Sequence, residues 1–357
     1  MTCALDDSKA PFSLGTFASA TRPAFPGMVI GSEVYAIADL KLTYSGIPLP
    51  ASRLSMIHLF EIWSDVFPAL NATARQLAVA PTTAGMTRES LQTLAPFMPR
   101  QILCAGANYR KHVIDILIDH PGPGSNPKWS LEDRRRRAER IMDHRAIAGQ
   151  PFAIVKASSA VLAPYADLTI PADSFETDWE LELGVVVGKP ARRVSRVMAL
   201  EHVAGYVICN DISARDHLSR PDFPSLGLNF LAGKSGPGFL PLGPVVVPSA
   251  FVANPQDLML TLRLNGETMQ HESTANMIFS ISQLIEFVSN HMQLLPGDLI
   301  LTGSPSGSGT HHRRFLRPGD LLEGSIAQLG TQRNQCVAEV LPDGAILHRP
   351  FVPLDPN

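Results

Sequence analysis

The sequence predicts an α+β protein, a strand-rich catalytic-size unit preceded by a smaller N-terminal α/β domain. Three observations carry this reading. From Pro151 onward, apolar runs of strand length follow one another between turns, and the clearest stretch with helical spacing is 277–292. Residues 264–267, "LNGE", contain the Asn-Gly pair that favours a type I′ hairpin. Residues 294–298, "LLPGD", and 316–320, "LRPGD", are similar turns that each lead into a strand. Strands and helices do not alternate, which argues against a chain of βαβ units.

Taken in order, residues 1–97 hold short strand-like pieces such as "GMVIGSEVYAIADL", then helix-like stretches such as "SRLSMIHLFEIWSDVFPAL", and no chemical cluster. The second unit, 98–357, starts near "PFMPRQILCAGANY", an apolar strand after prolines. Residues 113–150 contain "HPGPGSNPKWS", a loop by composition, and "LEDRRRRAERIMDHRAI", a charged helix. We read the four arginines as a solvated helix face balanced by Glu132, Asp133 and Glu139, and the whole segment as a lid. Strands then follow in "AIVKAS", "ELELGVVVG", "HVAGYVICND", "GPVVVPSAFV", "LMLTLRLNGETMQ" and "GDLILTGSP".

The bulk numbers narrow the function class. The chain has 357 residues, 45% of them hydrophobic and 18% charged, as in a packed soluble protein. A net charge of −3 offers no steering toward nucleic acid or anionic membrane. No stretch approaches the roughly 20 apolar residues of a membrane span. Four cysteines lie far apart without a CxxC pair, and the N-terminus lacks a signal-peptide pattern, so we expect a cytoplasmic protein.

The chemistry begins at "FETDWELELGVVVGK", 175–189. Glu180 and Glu182 are two apart on a strand and share a face, while Trp179, Leu181 and Leu183 point to the other. Two adjacent buried carboxylates repel, and a hard divalent cation is their natural compensation. An E-x-E alone fits a half-exposed strand with its polar face in water better. "GYVICNDISARDHL", 205–218, adds a third acid at a strand end: Asp211, with Asp216 as its rival. Arg215 is placed to neutralise nearby acids or to form a structural ion pair. In "GANYRKHVID", His112 and Asp115 are one helical turn apart, so the acid can orient an imidazole that activates water. Lys156 and Lys234 follow apolar runs and can meet an anion or serve as exposed strand-end lysines. "ILTGSPSGSGT", 300–310, offers backbone N–H groups and the hydroxyls of Thr302 and Ser304 as a carboxylate cradle, but no Walker A pattern.

These motifs, in order, resemble the fumarylacetoacetate hydrolase superfamily over roughly residues 98–345: "CAGANYRKH", "AIVKASS", "DWELELGVVVGK", "GYVICNDISARD", "GKSGPGFLPLGPVV", "LTLRLNGETMQ" and "LLPGDLILTGSPSGSG". The resemblance implies a mixed β-roll catalytic domain, a homodimer, and Mg²⁺, Mn²⁺ or Ca²⁺ held by Glu180, Glu182 and Asp211. It places His112 as the catalytic histidine, Asp115 as its acidic partner and Lys234 as the active-site lysine. Tyr109, Lys156, Arg215, Thr302, Gly303 and Ser304 become the expected substrate contacts. Ala105 stands where one branch carries a further metal carboxylate, which excludes a four-carboxylate site. Ser235-Gly236-Pro237 and Leu218 also depart from the common pattern. The implied activity is hydrolysis of a C–C bond in an acylpyruvate-like or other 1,3-diketo acid, in aromatic catabolism. Decarboxylation, dienoate hydration and keto–enol isomerisation of a 2-oxo acid use the same enolate-stabilising site. Hydrolysis ranks first because His112 comes with an acidic neighbour.

Overall fold

The computed structural model describes residues 11–347, apart from 41, 45–46, 49–53, 81–83, 120–125, 127, 221, 223–224 and 226. The architecture is α+β. Ser13–Ser19, Arg22–Ile30 and Glu33–Ala36 form an antiparallel meander, flanked by Met86–Thr87 on one edge and Gln92–Leu94 on the other. The helices Met56–Glu61 and Trp63–Val79 come next. Leu14, Phe60 and Trp63 belong to an apolar cluster that runs on to Cys336. Leu14 also exchanges backbone hydrogen bonds of 2.9 and 2.7 Å with Val246. The main core therefore crosses residue 97 without a break.

Two large sheets build most of the remainder, with two small two-stranded pairs beside them. The first has the order Val247–Pro248, Val203–Asn210, Leu181–Val187, Leu299–Leu301, Ile102–Gly106, Phe152–Lys156. Its pairs are antiparallel except Leu299–Leu301 with Ile102–Gly106. The second has the order Leu168–Ile170, Gly330–Ala338, Leu321–Ile326, Met259–Leu264, Glu267–Ser273. Leu181 fills the space between them, and a Cβ on Gly324 would lie 2.7 Å from its Cδ1, so a side chain there would displace it.

The turns follow their residues. Asn265 and Gly266 have φ of 52° and 85°, the left-handed pair a type I′ hairpin needs. In the two Pro-Gly turns, Gly297 and Gly319 take φ of 85° and 96°, and Asp298 and Asp320 N–H each close on a carbonyl at 3.0 Å. The helix Ile281–His291 starts from a Ser280–Gln283 capping box.

The segment 113–150 divides between two helices, Arg110–Asp119 and Leu131–Ala148, the second opened by a Ser130–Asp133 capping box. Its arginines are exposed or half-buried, and Arg136 pairs with Asp133 at 2.9 Å, the solvated face expected. The Pro/Gly loop lies largely outside the described residues. The two helices share an apolar cluster of their own: Val113, Ile114 and Ile118 against Ala138 and Met142. No helix among the described residues is long and apolar enough to cross a membrane.

Candidate metal centre and active site

Leu181–Val187 and Val203–Asn210 are antiparallel neighbours, with Leu181 opposite Asn210 and Glu182 opposite Cys209. The ladder extends one step further, where Asp211 N–H donates to the Glu180 carbonyl at 2.8 Å. The two-residue side-chain period then brings Glu180, Glu182 and Asp211 to one face at one end of the sheet. An oxygen from each lies within 4.8 Å of the other two, and all three residues are buried. Trp179, Leu181 and Leu183 are fully buried on the opposite side. The gap left by Gly184 is filled by Cys209, whose Sγ a Cβ would strike. Asp216 is elsewhere: its carboxylate accepts from Ser174 Oγ and Phe175 N–H, both at 2.8 Å.

The cations are tied to these acids. Lys234 Nζ bridges Glu180 Oε2 and Asp211 Oδ2, the latter at 2.6 Å. Lys156 Nζ donates to Asp211 Oδ1 at 2.6 Å and to the Ile212 carbonyl at 3.1 Å, so this expected substrate contact is tied to one of the candidate ligands. Arg215 spans Asp178 at 2.9 Å and Glu180 at 2.6 Å, which decides for neutralisation of acids. Burial works to raise the Glu180 carboxyl, but Arg215, Lys234 and His112 outweigh it and hold it well below the carboxylate range. Burial likewise opposes the Lys234 charge, and Asp211 and Glu180 overcome it. Glu182 is the exception. Burial, then repulsion from Asp211 and Glu180, push its carboxyl up, and among the described residues its donor is a single backbone N–H, Gly303 at 2.6 Å.

Four carboxylates, Asp178, Glu180, Glu182 and Asp211, thus face three cations, Lys156, Arg215 and Lys234, so Glu182 lacks a partner cation and is driven toward its neutral form. Oxygen-only donors with one acid left uncompensated fit a hard divalent cation. Glu180, Glu182 and Asp211 are the residues that would hold it.

His112 is 8% exposed on the helix Arg110–Asp119. Burial lowers its pKa, and Glu180, Arg215, Asp178 and Lys234 are the charges that act on it, so the ring faces the carboxylate cluster as neutral imidazole. The expected His112–Asp115 pair does not form among the described residues. Asp115 accepts from Ser306 Oγ at 2.7 Å and Lys111 Nζ at 3.0 Å, and lies 3.5 Å from His311 Nδ1. The reason is competition: i,i+3 spacing permits contact, but Ser306, Lys111 and His311 take the Asp115 carboxylate toward the loop that follows Leu301.

In that loop the expected cradle is largely engaged in the frame. Thr302 Oγ1 donates to the Leu183 carbonyl at 3.0 Å, Gly303 N–H to Glu182, and Ser304 Oγ accepts from Gln270 Nε2 at 2.9 Å. Tyr109 differs. Its hydroxyl is buried and has no hydrogen-bond partner among the described residues, and burial, then Glu182 and Glu272, raise its pKa, which puts an unspent donor near Glu182.

Three framing residues were missed by the sequence reading. Asp178, two before Glu180 and so on the same period, accepts from Trp179 N–H at 2.7 Å, Thr310 Oγ1 at 3.0 Å and Gly309 N–H as well as from Arg215. The D-x-E-x-E spacing was its signal. Asn108 ties the start of the His112 helix to Phe279 and Thr302 through bonds of 2.8–3.0 Å, and Gln270 holds Leu181 N–H at 3.0 Å. Neither carries a local signal.

Residues 101–337 match the family described as fumarylacetoacetate (FAA) hydrolase C-terminal. The chain is 34% identical over 269 residues to the mitochondrial oxaloacetate tautomerase FAHD2A of Bos taurus, 74% of each chain. It is 41% identical over 192 residues to the 2,4-didehydro-3-deoxy-L-rhamnonate hydrolase of Sphingomonas sp. (strain SKA58), covering 53% of this chain and 66% of that one. Among solved structures it is similar to the fumarylacetoacetate hydrolase of psychrophilic Exiguobacterium antarcticum, with a TM-score of 0.68 and 27% identity over 92% of this chain and 100% of that one. With the carboxylate centre built on the sheet that this match spans, the chain belongs to the fumarylacetoacetate hydrolase family.

Proposed function

We propose that the protein is a metal-dependent enzyme that moves a proton at the carbon beside the oxo group of a small 2-oxo dicarboxylic acid, a keto–enol tautomerase of the oxaloacetate type. The observation that carries it is His112: buried, neutral and facing the carboxylate cluster with no carboxylate partner of its own. Such an imidazole accepts a proton from carbon without first shedding one.

A bound Mg²⁺, Mn²⁺ or Ca²⁺ supplies Lewis-acid stabilisation of the charge that develops on the 2-oxo oxygen. With such an ion held by Glu180, Glu182 and Asp211, the cluster would carry one net positive charge, which matches an anionic substrate. His112 takes the proton from C3, the C–H electron pair moves into the C2–C3 bond, and the C2 oxygen gains the charge and then takes a proton from solvent water, while His112 later releases its own proton to solvent. In the reverse direction His112 returns the proton to C3. The Tyr109 hydroxyl donates a hydrogen bond to a substrate oxygen, and Lys234 adds positive charge beside the reacting atoms. Similarity to the tautomerases supports the same choice.

Hydrolysis of a 1,3-diketo acid, the first-ranked expectation, becomes the second reading. The 41% identity to a hydrolase favours it, and in it His112 would activate water. We further propose a homodimer working in the cytoplasm. The buried free thiols of Cys104, Cys209 and Cys336 suit that reducing compartment.

The test is deuterium exchange at C3 of oxaloacetate in D₂O with Mg²⁺ or Mn²⁺, alongside enol decay and product identity for oxaloacetate and acylpyruvates. Accelerated exchange without cleavage products supports the tautomerase. Pyruvate and a free carboxylate from acylpyruvates, with exchange at the background rate, would replace it by the hydrolase.

A further inference from the structure

The helix that carries His112 has little share in the main apolar core. Val113, Ile114 and Ile118 pack on Ala138 and Met142 of the next helix, and that cluster is separate from the one that unites the sheets. A helix placed this way depends on polar ties for its exact position over the site.

Besides Asn108 at its start, such a tie is made by Asp115. Its carboxylate accepts from Ser306 Oγ at 2.7 Å and Lys111 Nζ at 3.0 Å, with His311 Nδ1 3.5 Å away. Lys111 Nζ also reaches Ser306 Oγ at 2.9 Å. Ser306 and His311 belong to the segment 303–312, which has two further grips on the site. Its Gly303 N–H donates to Glu182, and its Gly309 N–H and Thr310 hydroxyl donate to Asp178. One segment therefore holds a metal-ligating candidate, the acid that orients Arg215, and the helix of the base. Ser306 hydrogen bonding outweighs part of the burial cost on Asp115, whose pKa is lowered overall by Ser306 and Lys111.

We propose that Asp115, Ser306 and His311 form a positioning latch that sets where His112 stands over the carboxylate cluster. Asp115 is in this view a positioning residue that acts through the helix, not a hydrogen-bond partner of the imidazole. Ser306 and His311 become functional residues although neither touches the reacting atoms. The inference rests on the reading of His112 as the base. The Ser306–Asp115 bond is its centre, since these two side chains are the least exposed of the set, while Lys111 is 61% exposed and contributes less.

A double-mutant cycle on the full-length protein tests this, with Ser306→Ala, Asp115→Ala and the pair, and Ser306→Thr as the conservative variant. Amide hydrogen exchange over residues 110–119 reads the latch without any substrate. C3 exchange of oxaloacetate reads the placement of the base. We expect each single alanine variant to speed exchange of 110–119 and to lower kcat by roughly 10- to 100-fold, the scale of a small misplacement of a catalytic group. KM should change little. The pair should be no worse than the more damaging single, the acid limb of the pH–rate profile should stay where it is, and Ser306→Thr should recover most of both readouts. Parental exchange of 110–119 in Ser306→Ala and Asp115→Ala would overturn the latch, whatever the substrate proves to be. So would strictly additive rate losses, or an acid limb that shifts in Asp115→Ala but not in Ser306→Ala, which would make Asp115 a direct partner of His112. Failure of oxaloacetate to exchange with the parent enzyme would instead count against the tautomerase reading, and the amide exchange would still decide the latch.

Discussion

The carboxylate face of the six-stranded sheet and the His112 helix lie on two sides of the same site, and they are held by different physics. Glu180, Glu182 and Asp211 sit on neighbouring strands inside the main core, where the backbone ladder sets their spacing and Lys156, Lys234 and Arg215 hold two of them in place. His112 stands on a helix whose apolar contacts are local and whose anchors are hydrogen bonds to Asn108 and Asp115. Repelling charges need a frame that does not yield, because their cost falls steeply with separation. A base that must meet a moving carbon atom needs accuracy but not that rigidity. The comparison predicts that damage to the sheet side costs stability, and damage to the helix side costs rate.

The sharpest break is His112→Ala. C3 exchange should fall by roughly 10²–10⁴-fold, the usual loss for a general base, with thermal midpoint and metal affinity near parental. A parental rate would remove the base from the helix side altogether.

Asp178→Ala attacks the frame. It takes one of the two carboxylates that Arg215 spans, and the acceptor of the Gly309 and Thr310 donors, out of a buried site, where breaking a pair costs about 3–5 kcal/mol. Urea denaturation should show a loss of this size. A loss below about 1 kcal/mol would mean that the frame does not depend on this acid.

Apolar truncation sharpens the contrast. Leu183→Ala in the main core should lower global stability by about 2–5 kcal/mol. Met142→Ala removes a residue just as buried, but from the separate cluster, and should lower it less while speeding amide exchange across both helices. Equal global losses would show that the helix pair unfolds only with the sheets.

Glu182→Gln separates charge from packing. It removes an acid that is ionised in the unfolded chain but pushed toward the neutral form when buried, so near neutral pH the metal-free protein should unfold at a higher temperature, by about 2–4 °C for each kcal/mol relieved. The stabilisation that Mn²⁺ gives the parent should shrink. Calorimetry with and without the ion checks both, and a lower metal-free midpoint would show that the carboxylate is compensated after all.

The smallest effect is in pH. Burial lowers the His112 pKa, so the imidazole stays unprotonated until the pH falls through a value below the ordinary 6.5. The acid limb of the rate should therefore lie below 6.5. An acid limb above it would mean that the ring is charged in the resting enzyme.

The candidate metal ligands were legible because strand chemistry is local. Glu180 and Glu182 share a face by a period of two, and Asp211 ends an apolar run that reads as the neighbouring strand. Asp178 was equally legible on the same period and was passed over. The partner of His112 was misread for the same reason that the pattern looked convincing: an i,i+3 spacing permits contact on a helix but does not say what else competes for the acid. Ser306 and His311, 191 and 196 residues along the chain from Asp115, won that competition.

Local rules, acting over two to five residues, determined the hairpin at Asn265-Gly266, the two Pro-Gly turns, the capped helix Ile281–His291 and the shared face of Glu180 and Glu182. These follow from φ preferences, side-chain periods and caps, which need no other part of the molecule. Tertiary structure alone decided that Lys156 is tied to Asp211, that Thr302 and Gly303 serve the frame, and that Asp115 holds a helix in place. Each of these turns on which donor stands nearest a charged group across a fold, and that distance is set by sheet register and core packing between segments far apart in the chain.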